Sequence, residues 1–112
     1  MLNIFTTIHN GFTKYNISYF FDEDGVVFGD LIFDFHDWKK SIIIDRLVRS
    51  QYSQDMVEAI INNHFLNISE WLDKKFKGED VDFVDQEYDK LQNWRKKCKE
   101  IANEAFAKYP EN

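Results

Sequence analysis

The dipeptide Asn10-Gly11 is the feature that most restricts how this chain can fold. Asn-Gly between two alternating apolar runs is a strong signal for a two-residue type I′ hairpin turn, because both residues tolerate a positive φ. With these two residues as the loop, His9 pairs with Phe12 and the rest of the register follows by counting back. The predicted pairs on one face are Leu2–Tyr19, Ile4–Ile17, Thr6–Tyr15 and Ile8–Thr13.

A second turn, around Asp24-Gly25, decides where the third strand points its apolar side chains. A two-residue loop there would put the apolar residues of strands two and three on opposite faces. A three-residue loop from Glu23 to Gly25, with Gly25 in the left-handed conformation of a G1 bulge, brings them to the same face. The predicted pairs are then Phe21–Val27, Tyr19–Gly29, Ile17–Leu31, Tyr15–Phe33 and Thr13–Phe35. Because a one-residue slip would reverse every side chain, the apolar pattern selects this register.

The rest of the chain has helical spacing. Residues 37–49 favour a helix, although Ile42–Ile44 also fits a short buried strand. Ser53 is a suitable N-cap for a helix through Leu66, and residues 67–70 resemble a capping box that opens a short helix closed by Gly78. The longest predicted helix covers residues 82–109, with acids near its start and bases further along.

These elements predict an α+β fold. Residues 1–112 are expected to form a single domain, since halves of this chain would be too small to hold a core. Within it, residues 1–36 form a three-stranded antiparallel meander, and three to four helices in residues 37–112 pack on one sheet face.

Charge and cysteine content exclude several classes of function. The formal net charge is −6, from 20 acidic and 14 basic residues, which argues against binding to nucleic acid phosphates or anionic lipid. A single cysteine, Cys98, excludes an internal disulfide and a multi-cysteine metal site. No run approaches the ~18 apolar residues of a membrane-spanning helix. We therefore expect a cytoplasmic protein without a cofactor, and neither membrane nor nucleic acid as its partner.

Carboxylates and histidines in the meander raise the question of a metal site. Asp34 and His36 share a strand face, and His9 lies on the neighbouring strand, so the three could bind zinc or perform acid/base chemistry. The predicted register, however, places Lys14 directly opposite Asp34, and a cross-strand ion pair accounts for that acid without a metal. We predict no metal site. A small metal-assisted enzyme using His9, Asp34 and His36 is the alternative.

Two further reactive residues have structural explanations. His64 lies on the apolar stripe of its helix, where a lone histidine is more often hydrogen-bonded than a ligand. Cys98 lies on the apolar stripe of the last helix, which predicts burial as a small hydrophobic side chain and not an exposed reactive thiolate.

The second face of the sheet is too apolar for an ordinary solvent-facing surface. Its apolar residues are Phe5, Phe12, Phe20, Phe28 and Ile32. Such a face needs a cover, which is either a helix of the same chain or a partner. The edge strand Met1–His9 and the aromatic residues Trp94 and Phe106 of the last helix are further candidate contacts.

We therefore predict a non-enzymatic protein–protein interaction module, with a second copy of the chain as one candidate partner. A composition rich in Asn, Ile, Lys and Phe is typical of AT-rich bacterial or phage genomes, which suggests a phage or mobile-element origin. A more specific form of the prediction is an acidic decoy that inhibits a host protein by occupying its nucleic-acid-binding groove.

Overall fold

The computed structural model describes residues 1–23 and 25–110. The chain begins with a three-stranded antiparallel sheet of order β1-β2-β3, with β1 at Leu2–His9, β2 at Phe12–Asp22 and β3 at Val26–Phe33. A short 3-10 helix, Phe35–Asp37, leads into the helices α1 (Lys40–Arg49), α2 (Gln54–Phe76) and α3 (Gln86–Lys108). The chain therefore has the predicted α+β order, a meander followed by three helices.

The two turns set the register that the sequence predicts. His9 pairs with Phe12 across the first turn, whose Asn10 and Gly11 both have positive φ, at 52° and 83°. All predicted pairs between β1 and β2 are present, and β3 pairs with β2 as predicted from Phe21–Val27 to Tyr15–Phe33. Gly25 has a φ of 112°, while the loop residue Asp24 lies outside the described residues.

One predicted pair, Thr13–Phe35, is wrong. β3 ends at Phe33, because Asp34 turns the chain into the 3-10 helix and Asp37 donates its backbone N–H to the Asp34 carbonyl at 3.0 Å. Phe35 therefore leaves the sheet and its side chain is exposed. The strand part of the meander is three residues shorter than predicted.

A glycine in β3 makes room for a buried tyrosine of β2. Gly29 lies directly opposite Tyr19, and a Cβ added to Gly29 would come within 2.7 Å of the Tyr19 hydroxyl oxygen. The tyrosine ring therefore covers the backbone of the neighbouring strand. Its hydroxyl is 2.5 Å from the Ser50 Oγ and accepts from the Gln51 amide at 2.8 Å, which ties the sheet to the end of α1.

The structure of the helices answers two questions about residues 42–44 and Ser53 that the sequence alone leaves open. Residues Ile42–Ile44 belong to α1 and not to a fourth strand, and Ser53 caps α2 by accepting from the Met56 backbone N–H at 3.2 Å. The predicted break between Leu66 and Asn67 is wrong, since α2 continues unbroken for 23 residues. The Asn67 amide donates to the Asp85 carboxylate at 3.2 Å, so this residue serves a tertiary contact and not a cap.

The core lies between the inner sheet face and two helices, α1 and α3. It contains Ile17, Tyr19 and Phe33 from the sheet, with aliphatic and aromatic side chains of both helices against them. Trp38, just before α1, stacks on Tyr15 with ring centroids 4.5 Å apart and donates its indole N–H to the Tyr109 carbonyl at 2.8 Å. The ends of the chain's helical part are thus fixed to the sheet.

Helix α2 contributes nothing to that core among the described residues and packs beside the first turns of α3 instead. Its only buried residue is Ile60. The result is an elongated molecule with principal extents of 66 × 24 × 20 Å, in which α2 and the start of α3 form an arm. Of the helices described here, none combines the length and the apolar character needed to cross a membrane.

Candidate functional site

The outer side of the sheet, which we call the open face, presents six rows of side chains. Each row runs across the strands and follows from the pairing register. The first, third and fifth rows contain large apolar residues, the second and fourth are polar, and the sixth joins an acid to a valine. In order, the rows contain His9 and Phe12; Thr7 and Lys14; Phe5, Asn16 and Ile32; Asn3, Ser18 and Asp30; Phe20 and Phe28; and Asp22 and Val26.

No helix of the described chain covers this face. The side chains of Phe12, Phe20 and Phe28 are 71%, 46% and 67% exposed, and that of Ile32 is 52% exposed. Phe5 is half-buried, in the middle row beside Asn16. Asn16 is itself buried and donates to the Thr7 hydroxyl at 3.0 Å, so the centre of the face is satisfied and rigid. The five predicted apolar residues of the outer face are therefore together, and four of them are open to a partner.

The acids of the open face have close polar neighbours. Lys14 forms an ion pair with Asp34, and the hydrogen bond and positive charge of Lys14 hold the pKa of the Asp34 carboxyl below its usual range. Ser18 donates to Asp30 at 2.5 Å. Asp34 thus has the neighbour that the register predicts for it.

The alternative metal cluster is not assembled. Among residues 1–23 and 25–110, no group of three or more His, Cys, Asp or Glu side chains is close enough to hold a metal ion. Asp34 is engaged with Lys14, and His36 lies in the 3-10 helix with its ring 5.9 Å from that of Phe35. His9 ends β1 and is separated from Asp34 and His36 by the central strand β2, so the geometry gives no support to a site formed by these three residues.

Trp94 does not lie on a free surface. Its side chain is 7% exposed, packs 5.3 Å from the Tyr19 ring and donates its indole N–H to the Leu47 carbonyl at 3.2 Å. Phe106 also packs against the core, edge-on to Trp38. Both residues hold α3 against the rest of the fold, so little of their surface is free for a partner.

Side chains from α1, the turn after it and α3 occupy carbonyl groups of both outer strands. Arg46 donates to the Ile32 carbonyl at 2.8 Å and Gln51 donates to the Phe28 carbonyl at 3.0 Å, both on β3. On β1, the Lys108 ammonium donates to the Ile4 carbonyl. These bonds reduce the number of free backbone carbonyls at each sheet edge, so less of each edge can pair with an added strand. The open face is therefore the larger contact surface.

His64 takes part in a polar cluster that joins α2 to α3. Its Nδ1–H donates to the Asp85 carboxylate at 2.8 Å, and its ring stacks on Tyr88 at 3.5 Å between centroids. Asp85 also caps α3 by accepting from the Tyr88 backbone N–H. The hydrogen bond from His64, with smaller help from Asn67 and the cap, holds the pKa of Asp85 below its usual range. This matches the structural role predicted for His64.

Cys98 and a surface cavity offer no catalytic arrangement. Burial raises the pKa of the Cys98 thiol to about 12, which removes its nucleophilic thiolate at neutral pH. A cavity of about 420 Å³ lies between the β2–β3 hairpin and α3. The described residues that line it include three lysines and two glutamates but no His, Ser or Cys.

Comparison with known protein families, curated proteins and solved structures gave no match. The chemistry of the surfaces themselves is therefore the basis for a functional assignment.

Proposed function

We propose that this chain is a non-enzymatic protein–protein interaction module whose open face binds the open face of a second copy. The observation that carries the proposal is the set of exposed apolar side chains on a sheet face that no described helix covers. Exposed apolar area of this kind, here in rows separated by polar residues, is a feature of protein interfaces.

The order of the outward side chains along β2 favours a second copy as the occupant. From Phe12 to Phe20 they are Phe12, Lys14, Asn16, Ser18 and Phe20, so the two aromatic rings lie at equal distances on either side of Asn16. A two-fold axis at Asn16 therefore places Phe12 of one copy on Phe20 of the other, and the row of Asp22 lies outside this symmetric segment. A self-complementary patch is what a two-fold symmetric dimer requires.

The exposed area fits a dimer of modest affinity. Taking roughly 200 Å² for a whole phenylalanine side chain, the three exposed phenylalanines present about 370 Å² per copy. Two copies would bury about 700 Å² from these rings, and Ile32 with the polar rows brings the total to roughly 1,000 Å² or more. That is the lower end for specific interfaces, so we expect a dissociation constant on the order of micromolar.

The net charge sets the salt dependence of this association. Two copies that each carry a formal charge of −6 repel one another, and at the contact itself Lys14 pairs with Asp34 while Asp30 accepts from the neutral Ser18 hydroxyl. Added salt screens the repulsion, so the dimer should tighten as ionic strength rises. Association driven by ion pairs across the interface would show the opposite dependence.

Analytical ultracentrifugation of the wild type and of matched lysine variants tests the proposal. Phe28→Lys places a charge in the apolar row, and by symmetry it does so twice in a dimer, so we expect at least a ~100-fold weaker association. Ile8→Lys is the control, since Ile8 is 76% exposed but belongs to the other face of the same sheet. Equal effects of both substitutions, or a monomeric wild type at high micromolar concentration and high salt, would refute the proposal.

A further inference from the structure

Helix α2 carries a second apolar surface, separate from the open face. Its covered side faces α3 and the following loop, with His64 bonded to Asp85 and the Trp71 indole N–H donating to the Val81 carbonyl at 2.9 Å. Next to that side runs a stripe at helical spacing, which we call the arm stripe, formed by Ile61, Phe65, Ile68, Leu72 and Phe76.

The arm stripe is exposed where the helix projects from the molecule. Phe65, Leu72 and Phe76 are 63%, 53% and 96% exposed, and Ile61 and Ile68 are half-buried along the edge of the covered side. A 23-residue helix that contributes nothing to the sheet core, and that carries such a stripe along its length, is not explained by packing within the described chain.

We infer that the arm stripe binds the arm stripe of a second copy in an antiparallel helix pair. The positions are self-complementary about a two-fold axis between residues 68 and 69. Such an axis puts Phe65 beside the second copy's Leu72 and Ile61 beside its Phe76, with the Ile68 side chains of both copies near the axis. The paired segment is about 22 Å long at 1.5 Å per residue, which is long enough for a two-helix seam.

The area is of the size that such a pair needs. Phe65 and Phe76 together expose about 300 Å², again taking roughly 200 Å² for a whole phenylalanine side chain. Two copies would bury at least about 600 Å² from these rings alone, and Leu72 with the half-buried isoleucines and the flanking groups extends this toward the roughly 1,000 Å² of a specific interface.

Two different two-fold surfaces on one chain have a consequence for assembly. A chain that uses only the open face, or only the arm stripe, stops at a dimer. A chain that uses both forms closed tetramers or alternating open chains. The wild type should therefore form species larger than a dimer at high concentration, because the arm interface joins dimers formed through the open face.

Sedimentation velocity on four variants tests this inference and separates it from the open-face proposal. Leu72→Lys and Phe76→Lys should each stop assembly at a dimer, and Phe76 is so exposed that its substitution leaves the fold intact. Leu66→Lys is the matched control: Leu66 is 62% exposed but lies roughly 120° around the helix from Leu72. Phe28→Lys should leave only the arm dimer.

A wild type that stops at a dimer and becomes monomeric in Phe28→Lys would overturn the arm inference and leave the open-face proposal standing. A dimer lost only in Leu72→Lys and Phe76→Lys would overturn the open-face proposal and leave the arm inference standing.

Cross-linking gives a second readout: with a short bismaleimide reagent, Ser69→Cys should cross-link two copies near the axis. Asn63→Cys, on the opposite side of α2, should not. Equal cross-linking of both would also overturn the inference.

Discussion

Because Gly29 contacts Tyr19, we expect Gly29→Ala to destabilise the protein, which is the opposite of the usual effect of a glycine-to-alanine substitution. Replacing a glycine by alanine at a compatible backbone position normally stabilises a protein by about 0.4–1 kcal/mol, because the unfolded chain loses freedom. In Gly29→Ala the new Cβ would lie 2.7 Å from the Tyr19 hydroxyl oxygen and 2.9 Å from two ring carbons. The ring is buried and its hydroxyl is tied to Ser50 and Gln51, so it has little room to move. We expect overpacking to lower the free energy of unfolding by about 1–3 kcal/mol.

Urea denaturation at a fixed protein concentration measures this change. The cause is tested by repeating the substitution in a Tyr19→Leu background, where the ring is absent. There Gly29→Ala should cost less than about 0.5 kcal/mol or become stabilising, so the two substitutions would be strongly non-additive. A stabilising Gly29→Ala in the wild-type background, or the same cost in both backgrounds, would show that the Tyr19 ring does not overpack at this position.

Two predictions concern the titratable groups. Because the folded pKa of Asp85 lies below its usual value of 3.8, its contribution to stability is present above that pH and is lost as the pH falls through the folded pKa. Thermal melts between pH 6 and 2 should therefore show a larger acid-induced loss in the wild type than in Asp85→Asn; parallel curves would contradict this. The Cys98 thiol, with a pKa of about 12 against an ordinary 9.0 and no exposed surface, should react with iodoacetamide at neutral pH at least ~1,000-fold more slowly than a free cysteine. Mass spectrometry of the native and the urea-unfolded protein follows this reaction, and rapid native labelling would refute the burial of Cys98.

The sheet could be predicted from sequence because its determinants are local. Asn10-Gly11 and the loop ending at Gly25 fix the two registers, and alternation of apolar residues checks them independently. The open face follows directly from that register. Whether a helix covers it could not be predicted, since the direction in which α2 leaves the sheet depends on long-range contacts.

The helices were predicted less well, for reasons visible in particular residues. The sequence suggests Trp94 as a surface contact, whereas the structure buries Trp94 and exposes its neighbour Arg95. Trp94 is fixed by a bond to the Leu47 carbonyl, 47 residues away, which no local pattern reveals. The capping-box pattern at Asn67 predicts the start of a new helix, whereas the Asn67 side chain bonds to Asp85 and α2 continues through this residue.

The arm stripe was missed although its signal is in the sequence. Ile61, Phe65, Ile68, Leu72 and Phe76 follow helical spacing only if α2 continues through Asn67. A predicted break at that position divided the stripe between two short helices, and neither part was long enough to stand out as a surface.

The most direct test of the central claim is to observe the open face in contact with another copy. In a mixture of isotope-labelled and unlabelled Leu72→Lys protein, where the arm interface is removed, filtered NMR experiments report only contacts between copies. We expect intermolecular contacts from the rings of Phe12, Phe20 and Phe28. Intermolecular contacts from helical residues alone, or none at millimolar concentration, would contradict it.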